Sequence, residues 1–434
     1  MLDPRLLREN PDAVRHATRV KRVATPDTVD AWREADEKRR AAQTIADRLR
    51  AEQKKAGEAM KEQLSPADRA TLQATLRDLK ERIQTKDKEV AALESEANDL
   101  MLQLPAVPDP AWPIGADADE NVVVRTWNDP ANPPAPLADG RQDHVALGTA
   151  LGILDFDRGV KIAGSRSYMV RGAGATLYHA VLRYAMDVIT SRNFEPFVAP
   201  VLVTERCMTG TGYFPAGRDQ AYVTQDNTVL VGTSEVPLAS LHADEILNED
   251  ELPKRFCALS SCFRREAGAA GKDTAGLYRV HQFDKVEQVV IHKADDAEHI
   301  ALHEEIVANS EYILQQLKLP YRVVQNCTGD MGQGKWRMYD IETWMPSRAG
   351  YGETHSGSAL RDFQARRLNL RYRPRDAKHT AFCYTLNNTA IACPRILIAI
   401  LENHQRADGS VNVPDVLRPY MHGTTIIGQT HASR

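Results

Sequence analysis

The sequence predicts an α+β protein: a long antiparallel helical arm, then an antiparallel sheet flanked by helices. Three observations carry this expectation. Residues 28–103 are rich in Ala, Glu, Lys, Arg, Gln and Leu, with few glycines or prolines; residues 105–136 hold eight of the 23 prolines; and from about residue 143 strand-like runs mostly follow one another with occasional helices between them. Strict β–α alternation would argue for a parallel sheet, whereas this order favours antiparallel strands with helices to one side.

A chain of 434 residues has room for two or three domains and at least one large core. Its 42% hydrophobic and 26% charged content is ordinary for a globular protein, and a net charge of −4 requires any nucleic-acid site to be a local patch. Met1-Leu2-Asp3-Pro4-Arg5 lacks the shape of a signal peptide, and no uninterrupted apolar run of membrane-spanning length occurs, so a cytoplasmic protein with no membrane partner is expected. The six cysteines (207, 257, 262, 327, 383 and 393) form no Cys-x-x-Cys pair, which argues against a zinc knuckle or a disulfide framework.

The arm reads as two helices. In its second half Leu72, Leu76, Leu79, Ile83, Val90, Leu93, Ala97 and Leu100 follow a 4-3 spacing broken only by Lys86; Ala35, Ala42, Ala46, Leu49, Ala56 and Met60 make a weaker seam in the first half. Ser65-Pro66 between them is a helix stop and restart, serine capping and proline opening the next helix. The result is an antiparallel coiled coil. Between 31 and 100 there are fifteen basic and fifteen acidic residues, so the arm is no polycation; by itself it is equally a dimerisation coil.

The expected organisation is an arm domain over 1–104, an extended proline-rich linker over 105–142 and an α/β-textured domain over 143–434. Within the last, 178–192 reads as an amphipathic helix, and 193–202 as a helix stop followed by a strand. Further strands are expected at 228–232, 286–291, 338–344 and 382–386, and helices at 295–317 and 394–406.

Residues 262–287 concentrate the chemistry: Arg264, Arg279, Glu266 and Glu287 surround a loop punctuated by Gly268, Gly271 and Gly276, between two strand-like runs. Guanidinium forks match phosphate oxygens, and carboxylates hold an amine or an adenine edge. A solvated charged hairpin would read the same way. Gly329-Asp330-Met331-Gly332-Gln333-Gly334-Lys335 matches the core of a P-loop, but Trp336 stands where a magnesium-binding hydroxyl is needed, so a turn into a strand is expected. Three other segments complete an inventory for nucleotide activation. Thr233-Ser234-Glu235 follows an apolar run and offers a hydroxyl and a carboxylate. Glu353-Thr354-His355-Ser356 offers magnesium ligands. Asn387-Asn388-Thr389 leads through Pro394 to Arg395, at the first turn of an apolar helix where the dipole favours an anion.

These segments resemble the three signature motifs of class II aminoacyl-tRNA synthetases, and in detail the bacterial-type seryl-tRNA synthetases. Residues 178–202, ending the run at Pro200, are similar to motif 1, Phe263–Glu287 to motif 2, and Asn387–Gln405 to motif 3; the likeness extends over essentially the whole chain. The resemblance implies activation of L-serine by ATP with Mg2+, transfer of serine to tRNA(Ser) and to tRNA(Sec) where present, and a homodimer. It implies that Arg264 bridges the serine carboxylate and the α-phosphate, that Glu266 meets the adenine, and that Arg279 and Arg395 bind the outer phosphates. Glu353 would hold the metal with Ser356 beside it, and the backbone near Val280 would contact ATP. Thr233, Ser234, Glu235, Glu287, Asn387 and Thr389 would form the serine pocket. Arg265, Thr354 and His355 lie within the matching ATP stretches, although alternation on a strand turns Arg265 away from its neighbours. Two positions depart from the family pattern: Arg265 stands where serine is usual, and Asn193 where glycine is usual, the latter compatible with a left-handed turn. The family's arm reaches across the dimer to the variable arm of its tRNA, and Arg39, Arg40, Arg48, Arg50, Lys54 and Lys55 supply local basic groups here. Two other readings stand beside this one: a paralogue loading another acceptor, which typically lacks the arm, and an inactive coiled-coil protein, which would have lost one of Arg264, Glu287, Glu353 or Arg395.

Overall fold

The computed structural model describes residues 1–138, 140–268 and 276–428. Gly271, expected in the charged loop, lies outside them. The chain forms two compact units, Met1–Val107 and Pro108–Arg434.

The first unit is helical: α1 (Pro4–Glu9), α2 (Pro11–Lys21), α3 (Pro26–Ala59) and α4 (Pro66–Gln103). Every residue of the two expected seams is buried or half-buried, while most positions between them are exposed. Ser65 caps α4, its hydroxyl accepting from the Asp68 amide at 3.2 Å, with Pro66 at the first helical position. Leu49, Leu79 and Ile83 pack together, and Arg50 crosses to Asp87 at 2.6 Å. Nearer the amino terminus, Asp36 is buried and receives Arg8, Arg39 and Arg40. Burial alone would raise its pKa, but these guanidinium groups hold it down at about 2.

The second unit is built on an eight-stranded sheet. In chain order the strands are β1 (Val122–Trp127), β2 (Glu195–Phe197), β3 (Lys254–Phe263), β4 (Gln282–His292), β5 (Tyr321–Gln325), β6 (Arg337–Met345), β7 (Gly350–Arg361) and β8 (Tyr384–Cys393). They lie in the order β1-β5-β6-β7-β8-β4-β3-β2, and only β2 runs parallel to its neighbour. Helices α5 (His144–Ala150), α6 (Ala173–Thr190), α7 (Asp296–Gln316) and α8 (Arg395–Asn403) surround it. Residues of α6, α7 and α8 share one large apolar core with the sheet.

Two segments differ from their expected form. Val122–Trp127, inside the stretch read as a proline-rich linker, pairs with β5 as the edge strand; the prolines spare these six residues, and three consecutive valines suit a pleated edge. The strand expected at 382–386 is interrupted at Cys383: Ala381–Phe382 joins a separate small sheet, whereas Tyr384 onward forms central strand β8. Gly329–Lys335 makes the turn before β6, as the missing hydroxyl required. Asn193 takes the left-handed conformation at φ 64°.

Helix α7 covers one face of the sheet. Gln288 and Asn388 donate to the Ile306 carbonyl, and Ser310 donates to the Thr389 carbonyl. Gly357 permits this approach: a Cβ there would fall 2.8 Å from Asn388 Oδ1 and 3.1 Å from Val307. With α7 on that face, alternate side chains point into the opposite one.

Candidate active site

That opposite face opens into a cavity of about 300 Å³. Its floor follows the two-residue period of the strands. Phe283, Lys285 and Glu287 enter from β4, Asn387 and Thr389 from β8, and Ser356 and Ser358 from β7. The walls come from chain ends leaving the sheet: Arg264 and Glu266 after β3, Arg279 and Val280 before β4, and Arg395 at the first residue of α8. Glu235 begins a short helix, Glu235–Ser240, after the strand Thr228–Leu230.

Most of the expected site residues therefore meet. Glu235, Arg264, Glu266, Arg279, Val280, Glu287, Glu353, Thr354, His355, Ser356, Asn387, Thr389 and Arg395 all line this cavity. Three do not. Thr233 Oγ1 accepts from the Glu235 amide at 3.1 Å, which fixes the start of that helix; Ser234 donates to the Ala258 carbonyl; and Arg265 turns away to the Asp219 carbonyl. The sequence reading missed Tyr213, Tyr278, Phe283, Lys285, Lys335 and Ser358, all on the lining. Phe283 and Lys285 were reachable by stepping back in twos from Glu287 along its strand, and Ser358 by stepping forward from Ser356.

One end of the cavity is cationic and aromatic. Arg264 lies over the Phe283 ring at 5.1 Å, and Arg395 over the Tyr278 ring at 4.2 Å. Arg395 also donates to the Tyr278 carbonyl at 3.1 Å and the Glu353 carbonyl at 2.8 Å, so its fork is aimed by backbone. Arg279 pairs with Glu266 at 2.6 Å and keeps a buried Nε with no protein acceptor among the described residues. An anion with several oxygens would satisfy these donors.

The other end is small, buried and polar. Glu235 accepts from Tyr213 Oη at 2.7 Å and from Gln364 Nε2 at 2.8 Å. Glu287 meets Lys285 Nζ at 2.5 Å and accepts from Thr389 Oγ1 at 3.3 Å. Burial pushes the Glu287 pKa above the usual carboxylate range; the Lys285 ammonium opposes this, and the Glu235 charge adds to it. Two buried carboxylates, Glu235 and Glu287, with an ammonium paired to only the second suit a small zwitterion with a positive group.

A divalent cation also fits the side of the cavity. Glu353 and Ser356 offer hard oxygen donors, and Asp340 lies close behind, hydrogen-bonded by Ser356, with a buried Oδ1 that has no partner among the described residues. Burial, then the neighbouring Glu353 charge, raises the Asp340 pKa well above the usual carboxylate range. Two mutually repelling carboxyl groups beside a hydroxyl are the donor chemistry that magnesium takes.

The chain's similarities agree with this geometry. The model of the "tRNA synthetase class II core domain (G, H, P, S and T)" matches residues 222–404, and that of the "Seryl-tRNA synthetase N-terminal domain" matches residues 1–108. A serine–tRNA ligase of Deinococcus radiodurans is 44% identical, with 99% of each chain covered, and one of Rubrobacter xylanophilus is 41% identical over the same shares. Among solved structures, the Pyrococcus horikoshii seryl-tRNA synthetase complexed with ATP superposes with a TM-score of 0.91 at 36% identity, covering 99% of this chain and 100% of that one. The cytoplasmic serine–tRNA ligase of Naegleria fowleri in complex with AMP gives 0.87 at 32%, with 99% of both chains covered. Likeness of this extent over both units leaves one assignment: the chain belongs to the seryl-tRNA synthetase family.

Proposed function

We propose that this family member activates L-serine with ATP and passes the serine to tRNA(Ser). The observation carrying the reading is that a cationic–aromatic end and a small carboxylate-lined end share one cavity. The serine ammonium lies among Glu235 and Glu287, and its hydroxyl among Glu287, Asn387 and Thr389. Arg264 holds the serine carboxylate against the α-phosphate, Glu266 and the backbone at Val280 meet the adenine, and Arg279 and Arg395 take the outer phosphates.

A serine carboxylate oxygen attacks the α-phosphorus in line and pyrophosphate leaves, giving seryl-adenylate. A ribose hydroxyl at the tRNA end then attacks the seryl carbonyl and AMP leaves. The first step brings two anions together without needing an acid or base, so the guanidinium groups act by holding and neutralising oxygens already in place. Glu353 and Ser356 would hold Mg2+, which when bound supplies further neutralisation of the phosphates. A pocket that hydrogen-bonds the serine hydroxyl rejects alanine by leaving buried polar groups unpaired, worth up to about 10⁴-fold.

Binding of tRNA falls to the first compact unit, Met1–Val107, and catalysis to the second, Pro108–Arg434, whose sheet takes in Val122–Trp127 from the stretch expected as a linker. The arm binds tRNA by shape and backbone contacts, through exposed Lys54 and Lys55 among others. The enzyme works as a cytoplasmic homodimer; among the described residues no helix is long and apolar enough to cross a membrane. The decisive experiment is serine-dependent ATP–pyrophosphate exchange followed by charging of tRNA(Ser). Exchange with another amino acid but not with serine defeats the reading.

A further inference from the structure

Helix α8 is apolar except for Arg395 at its start and Glu402 and Asn403 at its end, and Arg395 and Glu402 lie two turns apart along the same stripe. Arg395 belongs to the cavity. Glu402 does not line it, yet its carboxylate is fully buried and receives three hydrogen bonds: from the His144 amide at 3.0 Å, from His144 Nδ1 at 2.8 Å and from the Ser347 amide at 2.9 Å. These donors overcome its burial and hold its pKa below the usual value. A buried carboxylate that consumes this many donors organises the elements supplying them.

Both sets of donors lead to the same strip of cavity wall. Because Glu402 is an acceptor, His144 Nδ1 carries the proton and Nε2 is left as an acceptor, which takes the Leu277 amide at 3.3 Å. Gly276 makes the approach possible: its φ is 80°, and a Cβ there would lie 2.5 Å from His144 Nε2. On the other side, Glu402 fixes Ser347, and the next residue, Arg348, lies 3.7 Å from the centre of the Tyr278 ring. Arg395 closes the bracket through the Tyr278 carbonyl. Leu277 and Tyr278 are thus held from two directions by contacts that converge on Glu402, and they lead directly into Arg279 and Val280.

The geometry points to Glu402 and His144 as positioning residues that set the Leu277–Val280 segment for ATP, linking the end of α8 to the phosphate-binding arginine through an imidazole of fixed tautomer. This rests on the reading of the cavity as an ATP and serine site. It assigns no contact with serine to either residue, so ATP and serine must respond differently to their loss.

Two substitutions separate the links. His144→Asn can still donate to Glu402 but is too short to accept from Leu277; His144→Gln places a carbonyl oxygen near the lost Nε2. In full-length protein, pyrophosphate exchange with His144→Asn should show an ATP KM about tenfold higher, as loss of one positioning hydrogen bond gives, with serine KM within about twofold. His144→Gln should recover most of the loss. Hydrogen exchange should quicken at the Leu277 amide in His144→Asn and slow again in His144→Gln. Unchanged ATP KM in His144→Asn overturns the inference, as do equal rises in both KM values that glutamine does not repair, which would mark a general packing role. Absence of serine-dependent exchange in the unaltered chain overturns the activity reading and this inference together; normal exchange there isolates the variants' result.

Discussion

Lys285 and Glu287 decide how the small polar end of the cavity carries its charge. Burial raises the pKa of the enclosed Glu287 carboxylate, and the Lys285 ammonium 2.5 Å away works against that rise. Lys285→Met should therefore raise the serine KM by about tenfold near neutral pH, the scale of one lost charge-assisted contact, with partial recovery as pH rises and Glu287 ionises again. A pH series of KM values checks this, and a flat series would deny Glu287 the role. Arg264→Ala should cut pyrophosphate exchange by about a thousandfold, as loss of a preorganised donor does, with the melting temperature unchanged. At this scale the sequence disclosed charges flanking glycines but not the uncharged partners. Tyr213 and Gln364, which hold Glu235, sit far from it along the chain and carry no local pattern. Arg265 shows the converse: its side chain turns away to the Asp219 carbonyl as alternation predicted, although residues 264–266 lie beyond the end of β3.

At the scale of elements, the arm was the most legible part because a long helix exposes its period directly. Ala42, Ala46, Leu49, Leu79, Ile83 and Ala97 are buried as their spacing requires. Lys86 is only half-buried and reaches Glu89 at 2.6 Å, which explains how one lysine is tolerated in the seam. Deleting residues 33–100 should leave pyrophosphate exchange within about twofold and abolish tRNA charging, since a separate compact unit can be removed without disturbing another core. Parallel exchange and charging assays check it. Strand β1 was hidden because six residues of edge strand, surrounded by prolines, have no buried face to impose alternation; Val122, Val123 and Val124 are all exposed.

For the whole molecule, acid is the predicted weakness. His292 and His299 stack beneath Trp336 and Tyr384 with 2.7 Å between their nitrogens, and His303 lies beside Tyr339. Burial pushes the pKa values of His292 and His303 down to about 4, and that of His299 well below its usual value. An unfolded histidine takes up its proton near pH 6.5, so the folded state keeps its full advantage above that value and loses it as pH falls toward 4. The loss from His292 and His303 is on the order of 3 kcal/mol each by pH 4, and Asp36 adds to it only between about pH 4 and 2. Thermal melts should hold from pH 7.5 to about 6.5 and then fall steadily to about pH 4.5, and His303→Gln should flatten the fall. The fold class was legible because long-range order here follows motifs recognisable as a set, whereas the strand order was not, since neighbours in space are distant in sequence. That order has a consequence for the growing chain. The last long strand to leave the ribosome, β8, inserts between β7 and β4 and is the sole bridge between the two halves of the sheet. A nascent chain holds Arg264 and Arg279 early, but Asn387 and Thr389 arrive only with the strand that closes the sheet, and Arg395 directly after it. Competence for amino-acid activation and completion of the domain are therefore one event in biosynthesis, and a chain truncated before β8 has neither.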